Sequence, residues 1–348
     1  MSTIASLILL ELLSVQAHCA GYAPVAETAC SQDCNPILGS DNRVYYISEA
    51  RTLIESFDDV VTTLASRIGS KLLVQEDDGI VVSSSNQLVK WKFSTQELIG
   101  LGQTDSIVVA FQRWGSGKWV AVTKKAIWLL NVESGKSSKL ANVDNYDYER
   151  SELTVSPTQG RIYISTFPNG ILCLSLTGQK MWSADPQRIP NGIATVIGSL
   201  HILPEGQSIA VLADGLIVKL DAKGGELWRN EIGDGKEEFA HHGVVTEKGL
   251  CVATYVPKSR LGNIICIDID NGQIKWKSQM NHGCSYGPYF SKEKNELFVV
   301  FKDSGSEWYD MNGKSSKLLD SNRFISPPFF NPNEEPMFIR NNGTIEHK

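Results

Sequence analysis

The chain contains 348 residues, of which 42% are hydrophobic and 21% are charged, and its net charge at pH 7 is −6. These proportions are typical of a globular protein, and the length suits one large repeat domain or two ordinary domains. Lysine and arginine are interspersed with acidic residues instead of being clustered on a basic face. The composition therefore argues against nucleic acid as a partner.

The first segment of the chain has features of a signal peptide. Residues 4–17 form an apolar run that is too short to span a bilayer, and small residues offer a cleavage site after Ala17. The run lacks a preceding Lys or Arg and is interrupted by Glu11, so a buried N-terminal helix is the alternative. We predict a signal peptide over 1–17, which directs the mature chain to the secretory pathway, the periplasm or the extracellular space. No later stretch is apolar over enough residues to form a transmembrane helix.

A polar segment follows over residues 18–40 and contains Cys30 and Cys34. This close pair suits a small disulfide loop or half of a metal site. We favour the disulfide, because the sequence has no second close pair of cysteines to complete a zinc knuckle. Three further cysteines lie in apolar, strand-like runs, where cysteine is usually a small buried hydrophobic residue. They are Cys173, Cys251 and Cys266.

A hairpin pattern recurs through residues 41–348. Each copy has an alternating apolar strand, a tight turn and a second strand that often carries tryptophan, as in 172–182, 217–228 and 264–276. The turns lie near residues 51, 96, 135, 178, 225, 272 and 313, which are 39 to 47 residues apart. Four strands of about six residues with their loops need this length, so each repeat corresponds to one four-stranded blade.

We therefore predict an all-β fold, a single β-propeller of about seven four-stranded blades. The C-terminal strands 325–330 and 336–340 repeat the first half of a blade, so we expect the N- and C-terminal strands to pair. Such pairing would close the ring and remove both exposed sheet edges. Residues 342–348 suit another hairpin, which would make eight blades. The stretch 56–69 has features of both a short helix and an irregular strand, and the sequence does not decide between them.

The turn motif resembles the pyrroloquinoline-quinone (PQQ) repeat of quinoprotein-like propellers, whose pattern is Ala-x-Asp-x-x-Thr-Gly-x-x-x-Trp. The copy that matches best has Cys in place of Ala and Asn in place of Thr, and a second copy has Ser in place of Asp. The matching residues are Cys266, Asp268, Asn271, Gly272 and Trp276 in the first copy and Ser175, Thr177, Gly178 and Trp182 in the second. The resemblance implies that Trp182, Trp228 and Trp276 are structural and pack blade on blade.

This family includes quinone-dependent alcohol and sugar dehydrogenases, and also non-enzymatic members such as a bacterial outer-membrane assembly scaffold. The chain has no adjacent cysteine pair like the one that stacks on the quinone in the dehydrogenases, and no recognisable set of calcium ligands. We therefore predict no cofactor, and PQQ with calcium enters only if the chain is a dehydrogenase.

The loops that enter the innermost strands surround the mouth of a propeller's central channel, where ligands usually bind. Several of these loops carry basic, imidazole and phenol groups that would converge on one face. The candidate ligand-binding residues are Arg150, Arg188, His241, His242, His282, Tyr286 and Arg323. Adjacent histidines on a strand point to opposite faces, so we predict no metal site. Asn342 begins an Asn-Gly-Thr sequon for N-glycosylation.

No arrangement of nucleophile, base and acid stands out, so we predict no catalytic residues. The favoured function is a secreted, non-enzymatic propeller that binds a protein or another extracellular ligand at the channel mouth. The alternative is a quinone- or metal-dependent oxidoreductase of the quinoprotein type. A third function, a propeller that binds or hydrolyses glycans, also stays open.

Overall fold

The computed structural model describes residues 36–39, 43–48, 50–57, 60–65, 68, 73–143, 153–166, 170–185, 197–232, 239–256, 258–301, 305–319, 327–339 and 345–347. This part of the chain is all-β. It forms 31 strands in eight antiparallel sheets, together with one short 3₁₀ turn at Pro204–Gly206.

The strands follow one another in chain order within each sheet, so every sheet is a simple meander. Sheet 1 has strands β1 (Ile37–Leu38), β2 (Val44–Ile47), β3 (Leu53–Phe57) and β4 (Val60–Ala65). Sheet 2 has β5 (Val74–Glu76), β6 (Gly79–Ser84), β7 (Gln87–Lys92) and β8 (Glu97–Gln103). Sheet 3 has β9 (Val108–Gly115), β10 (Lys118–Thr123), β11 (Ala126–Asn131) and β12 (Lys136–Asn142). Sheet 4 has β13 (Leu153–Ser156), β14 (Arg161–Thr166), β15 (Gly170–Ser175) and β16 (Lys180–Ala184).

Sheets 5 to 8 continue the same order. Sheet 5 has β17 (Ile197–Ile202), β18 (Ser208–Leu212), β19 (Leu216–Leu220) and β20 (Glu226–Glu231). Sheet 6 has β21 (Phe239–Thr246), β22 (Gly249–Tyr255), β23 (Gly262–Ile267) and β24 (Ile274–Met280). Sheet 7 has β25 (Cys284–Ser291), β26 (Glu296–Phe301), β27 (Ser306–Asp310) and β28 (Ser315–Leu319). Sheet 8 has three strands, β29 (Phe329–Phe330), β30 (Pro336–Ile339) and β31 (Ile345–His347).

The seven four-stranded sheets agree with the predicted blade count, and the last hairpin adds an eighth, three-stranded sheet. That hairpin is the one that residues 342–348 were expected to supply under the eight-blade alternative, because β31 pairs with β30. The undecided stretch 56–69 contains strand β4. Its β-branched run of Val60, Val61, Thr62 and Thr63 favours an extended backbone over a helix.

Because of strand β4, the N-terminal sheet differs from the one expected from the sequence. This strand completes sheet 1, and the predicted turn near residue 51 therefore joins the second and third strands of that sheet instead of the last two. Sheet 1 also begins at Ile37, ahead of residue 41, where the sequence analysis started the propeller. Among the described residues, sheets 1 and 8 share no strand pairing. The expected sheet with strands from both ends is thus not observed.

Hydrophobic packing joins the sheets in a continuous series. Each pair of consecutive sheets shares a cluster of buried side chains, for example Val109 and Val120 of sheet 3 with Ile162 and Ile164 of sheet 4. The cluster that contains Tyr46 of sheet 1 also includes side chains of both sheet 2 and sheet 8. The order of contacts therefore returns from the last sheet to the first through side chains.

Three tryptophans on outermost strands connect sheets 4 to 7 by the same contact. The indole Nε1 of each tryptophan donates a hydrogen bond to a turn carbonyl of the next sheet. Trp182 donates to Ala222 at 3.0 Å, Trp228 to Ile269 at 2.9 Å and Trp276 to Met311 at 3.0 Å. We call this the tryptophan–turn contact.

A left-handed glycine lets each indole lie on the next turn. Gly224, Gly272 and Gly313 have φ angles of +83°, +75° and +81°. A Cβ added to these glycines would lie 2.7, 2.7 and 2.5 Å from the ring of Trp182, Trp228 and Trp276, respectively. A side chain at these positions would both strain the backbone and displace the indole, and glycine avoids both costs.

Candidate functional site

The first strand of each sheet is the innermost one. Strands β9, β13, β17, β21 and β25 contact one another in that order, and β1 contacts β29. Polar side chains on these strands are therefore brought to the centre of the molecule, where propellers usually bind their ligands.

A polar cluster joins the inner strands β17 and β21. Nε2 of His201 lies 3.1 Å from Oγ of Ser199, and this hydroxyl accepts a hydrogen bond from the backbone N–H of Gly243 at 3.1 Å. A Cβ at Gly243 would lie 3.3 Å from Nε2 of His201 and 2.9 Å from Cδ1 of Leu250. Glycine at this position thus allows the imidazole to approach the neighbouring strand.

The cluster contains the imidazoles of His201 and the nearby His242, and both favour the neutral form. The pKa of His201 is lowered to about 4, chiefly by burial and also by the nearby His242, whereas a backbone hydrogen bond with Gly243 acts in the opposite direction. Burial also lowers the pKa of His242, and a backbone hydrogen bond with Gly198 partly offsets this effect. The side chain of His242 is nevertheless accessible to solvent. At neutral pH the cluster therefore offers uncharged hydrogen-bonding groups.

A groove of about 660 Å³ lies beside His201, which we call the inner groove. This volume falls within the usual range of small-ligand sites. The groove is lined by residues of β13, β17 and β21 and by the turns that follow β13 and β17. The lining residues are Thr154, Val155, Ser156, Pro157, Thr158, Gln159, Leu200, His201, Ile202, Leu203, Pro204 and Val245.

One amide side chain fixes the two turns of the inner groove relative to each other. Nε2 of Gln159 donates to the carbonyl of Leu203 at 2.8 Å, and its Oε1 accepts from the hydroxyl of Tyr163 at 3.0 Å. The groove lies at the ends of β13 and β17 that are opposite to the loops entering these strands.

The structure describes only part of the predicted site. His242 lies in the cluster with His201, the ring of His282 lies 5.5 Å from that of Phe301, and Tyr286 packs in the cluster between sheets 7 and 8. Other predicted residues lie outside the described part of the chain, and so does the side chain of His241. They are Arg150, Arg188, Arg323, Cys30, Cys34 and Asn342. Convergence of the candidate residues on one face stays a prediction.

Sequence reasoning missed Ser199 and His201. These two polar residues are two positions apart in the otherwise apolar run 197–202. This spacing places both side chains on one face of a strand and could have identified them. The sequence does not show which neighbouring strand this face meets, and the approach of Gly243 was therefore not predicted.

Whether the chain binds a calcium-bound quinone stays a prediction, and the described residues contribute two observations. Within the described ranges, no three His, Cys, Asp or Glu side chains are grouped closely enough to hold a metal ion. The cysteines of this part of the chain, Cys173, Cys251, Cys266 and Cys284, are buried free thiols in the hydrophobic core. Burial raises the pKa of Cys173 to about 11 and raises that of Cys284 as well, so both stay protonated at neutral pH.

Eight antiparallel meanders with their first strands innermost define a quinoprotein-like β-propeller, and tryptophan–turn contacts join four of them, sheets 4 to 7. Solved structures share this fold. The chain is similar to the computationally designed protein Ika8, with a TM-score of 0.64 and 16% identity over 92% of this chain and 98% of that one. No protein-family model and no curated protein matches the chain.

Two natural proteins also share the fold. BamB from Moraxella catarrhalis has a TM-score of 0.63 and 11% identity, covering 91% of this chain and 96% of that one. The dihydro-heme d1 dehydrogenase NirN, solved in complex with DHE, has a TM-score of 0.61 and 16% identity, covering 86% of this chain and 68% of that one. At these identities the similarity shows the fold alone. In the part of the chain that the structure describes, no helix has the length and apolar character needed to cross a bilayer.

Proposed function

We propose that the mature chain is a secreted, non-enzymatic β-propeller that binds a partner protein or another extracellular ligand at the inner groove. The inner groove is the observation that carries this proposal. It combines apolar side chains such as Leu200 and Ile202 with hydroxyl, amide and neutral imidazole groups, and its lining includes residues of three inner strands. Such a mixture can bury an apolar group of a ligand and orient it by a few hydrogen bonds.

Secretion is supported by the apolar run over residues 4–17 and the cleavage site after Ala17. Mass spectrometry of the protein recovered from the extracellular or periplasmic fraction should give a mature N-terminus close to this site. A chain that stays inside the cell with residues 1–17 intact would contradict secretion.

The binding site can be tested by closing the groove. Thr158 is an exposed residue of the turn after β13, so Thr158→Trp would place a bulky ring at the groove. Lys292→Trp is the matched control, because Lys292 is exposed in the equivalent turn of sheet 7 and does not line the groove. We expect proteins or glycans of the secreted fraction to bind the wild type and Lys292→Trp but not Thr158→Trp. Equal binding by all three proteins would contradict this site.

The same purified protein can be tested for oxidoreductase activity, which would contradict the proposal. The purified protein would be supplied with calcium and PQQ and tested for dye reduction with a panel of alcohols and sugars. Substrate-dependent dye reduction would contradict a non-enzymatic function. A glycan array would show whether the extracellular ligand is a carbohydrate, and hydrolysis of a bound glycan would again contradict the proposal.

A further inference from the structure

Two cysteines face each other across neighbouring strands of sheet 6. Cys251 of β22 and Cys266 of β23 are direct partners in the antiparallel register, and both are 0% exposed. Cys266 stands where the PQQ repeat pattern has alanine. The same repeat position in sheets 4, 5 and 7 faces other residue types, because Cys173 pairs with Tyr163, Lys219 with Ile209 and Trp308 with Phe298. Among these four sheets, two thiols meet at this position in sheet 6 alone.

The register brings the two cysteine side chains close together. The backbone N–H of Gly243 donates to a hydroxyl of β17, away from its partner Val252 on β22. The adjacent pair, Val244 and Cys251, is therefore the hydrogen-bonded one, and the backbone groups of Cys251 point to β21. On its other side Cys251 forms a non-hydrogen-bonded pair with Cys266. Cα atoms in such pairs are about 4.5 Å apart, and a disulfide spans about 4.4–6.8 Å.

The sulfur of Cys266 extends over strand β22. A Cβ added to Gly249, which is two residues before Cys251 and on the same face of the strand, would lie 3.0 Å from this sulfur. The hydrogen bond between the two thiols lowers the pKa of Cys266 and raises that of Cys251. Burial raises the pKa of Cys266, whereas the charge of the nearby Lys275 lowers it. Cys266 is therefore the thiol of the pair that ionises first, and a thiolate is the nucleophile in disulfide exchange.

We propose that Cys251 and Cys266 are a redox pair that forms a cross-strand disulfide, and that the structure shows its reduced form. The oxidant is a small-molecule disulfide such as oxidised glutathione. The thiolate of Cys266 attacks one sulfur of the oxidant and releases the first small thiol. Cys251 then loses its proton, attacks the sulfur of Cys266 and releases the second small thiol. The two cysteines give up two electrons and two protons, and the oxidant is reduced to two thiols.

Burial determines when this exchange can take place. Both thiols lie in the hydrophobic cluster that joins sheets 6 and 7, so an external disulfide reaches them before these sheets pack together. Oxidising compartments supply such disulfides during folding, and the presence of the bond in the cell therefore rests on the secretion proposed above. The bond would close the loop 251–266, restrict the unfolded chain and stabilise the hairpin of β22 and β23.

The test refolds the purified mature chain from urea, starting from the reduced form, in reduced and oxidised glutathione. The remaining thiols are alkylated, and the chain is digested with trypsin without reduction. The disulfide joins the tryptic peptides 249–258 and 261–275. We expect mass spectrometry to find this linked species as the main form of both peptides, with Cys173 and Cys284 alkylated. Its absence, or equal linkage of Cys251 to Cys173 or Cys284, would overturn the proposal.

Cysteine variants test what the bond does. Oxidised wild type should have a higher urea midpoint than wild type kept reduced by a phosphine, and Cys266→Ala should lack both the linked peptides and the rise that they bring. Cys173→Ala is the matched control, because Cys173 has the same repeat position in sheet 4 but faces Tyr163, and it should keep both. Equal midpoints of the two wild-type forms would overturn the stabilising role. If Cys266→Ala does not fold, the wild-type peptides still decide whether the bond forms. A chain that stays inside the cell would refute secretion alone, because the refolding test needs no cell.

Discussion

The tryptophan–turn contact gives a sharp prediction, because the chain contains the same glycine substitution with and without an indole nearby. Gly272→Ala places a methyl group on a left-handed residue and 2.7 Å from Cδ2 and Cε3 of Trp228. Gly135→Ala makes the same backbone change at φ +64°, but its methyl group meets nothing within 4 Å. The difference between the two variants isolates the contribution of the indole.

The expected magnitudes follow from these contacts. Left-handed alanine costs about 1 kcal/mol in either variant. In Gly272→Ala the indole must also move, which breaks its hydrogen bond to Ile269 and costs about 1 kcal/mol. The overpacked interface adds roughly 1–3 kcal/mol. We therefore expect Gly272→Ala to lower the free energy of unfolding by about 2 kcal/mol or more beyond Gly135→Ala.

Urea unfolding followed by far-UV circular dichroism measures this difference. The variant Trp228→Ala and the double variant Trp228→Ala/Gly272→Ala complete the comparison. In a Trp228→Ala background the indole is absent, so Gly272→Ala should cost only what Gly135→Ala costs. Equal losses in Gly272→Ala and Gly135→Ala, or an undiminished cost in the Trp228→Ala background, would refute the role of the indole.

Three further predictions concern the inner cluster, the buried thiols and the turns. Folding lowers the pKa of His201 from 6.5 to about 4, so the folded chain binds fewer protons than the unfolded chain between these pH values. The free energy of unfolding should therefore fall as the pH drops from 6.5 to about 4. His201→Asn should reduce the fall, which urea midpoints at pH 7 and 4.5 measure. The four buried thiols of the reduced chain should resist a thiol reagent until urea unfolds the chain, and they are Cys173, Cys251, Cys266 and Cys284. Peptide mass spectrometry would reveal any earlier labelling. Asp310 accepts hydrogen bonds from the backbone of Asn312 and Lys314, so Asp310→Ala should lower the urea midpoint, whereas Asp310→Asn should retain most of it.

The sequence was sufficient to predict the repeating architecture, because each repeat carries its own local signals. Turn residues with acceptor side chains, such as Asp221 and Asp268, bind the backbone N–H groups of their own turns, and these contacts need no distant partner. Period-2 alternation then fixes which face of each strand is buried. The blade count followed from the spacing of these repeats, and the quinoprotein-like fold was implied by the resemblance of the turn motif.

The junction of the two ends could not be predicted in the same way. Assignment of the turn near residue 51 to the last two strands of a blade depended on whether 56–69 is a helix or a strand. Strand β4 pairs with β3 over Leu53–Phe57, and this pairing depends on the register of a neighbouring strand, not on a local motif. Once sheet 1 has all four of its strands, the C-terminal hairpin forms a sheet of its own.

The candidate site was harder to predict than the fold, because its members come from different repeats. His242 was singled out where a loop enters an inner strand, and the structure places it on β21 near His201 of β17. The contact depends on Gly243, whose lack of a side chain has no local turn signal. Residues that meet across two sheets can be identified only after the order and spacing of the inner strands are known.

The direction of the tryptophan–turn contact has a mechanical consequence. Each indole belongs to one sheet and donates a hydrogen bond to a turn of the following sheet, so these contacts link sheets 4, 5, 6 and 7 in one series. Loosening one member removes support from the next, and this arc should open as one cooperative unit in native-state hydrogen exchange. No such contact links sheets 2 and 3 over the described residues 73–143. We therefore expect the amides of sheets 2 and 3 to exchange faster than those of sheets 4 to 7.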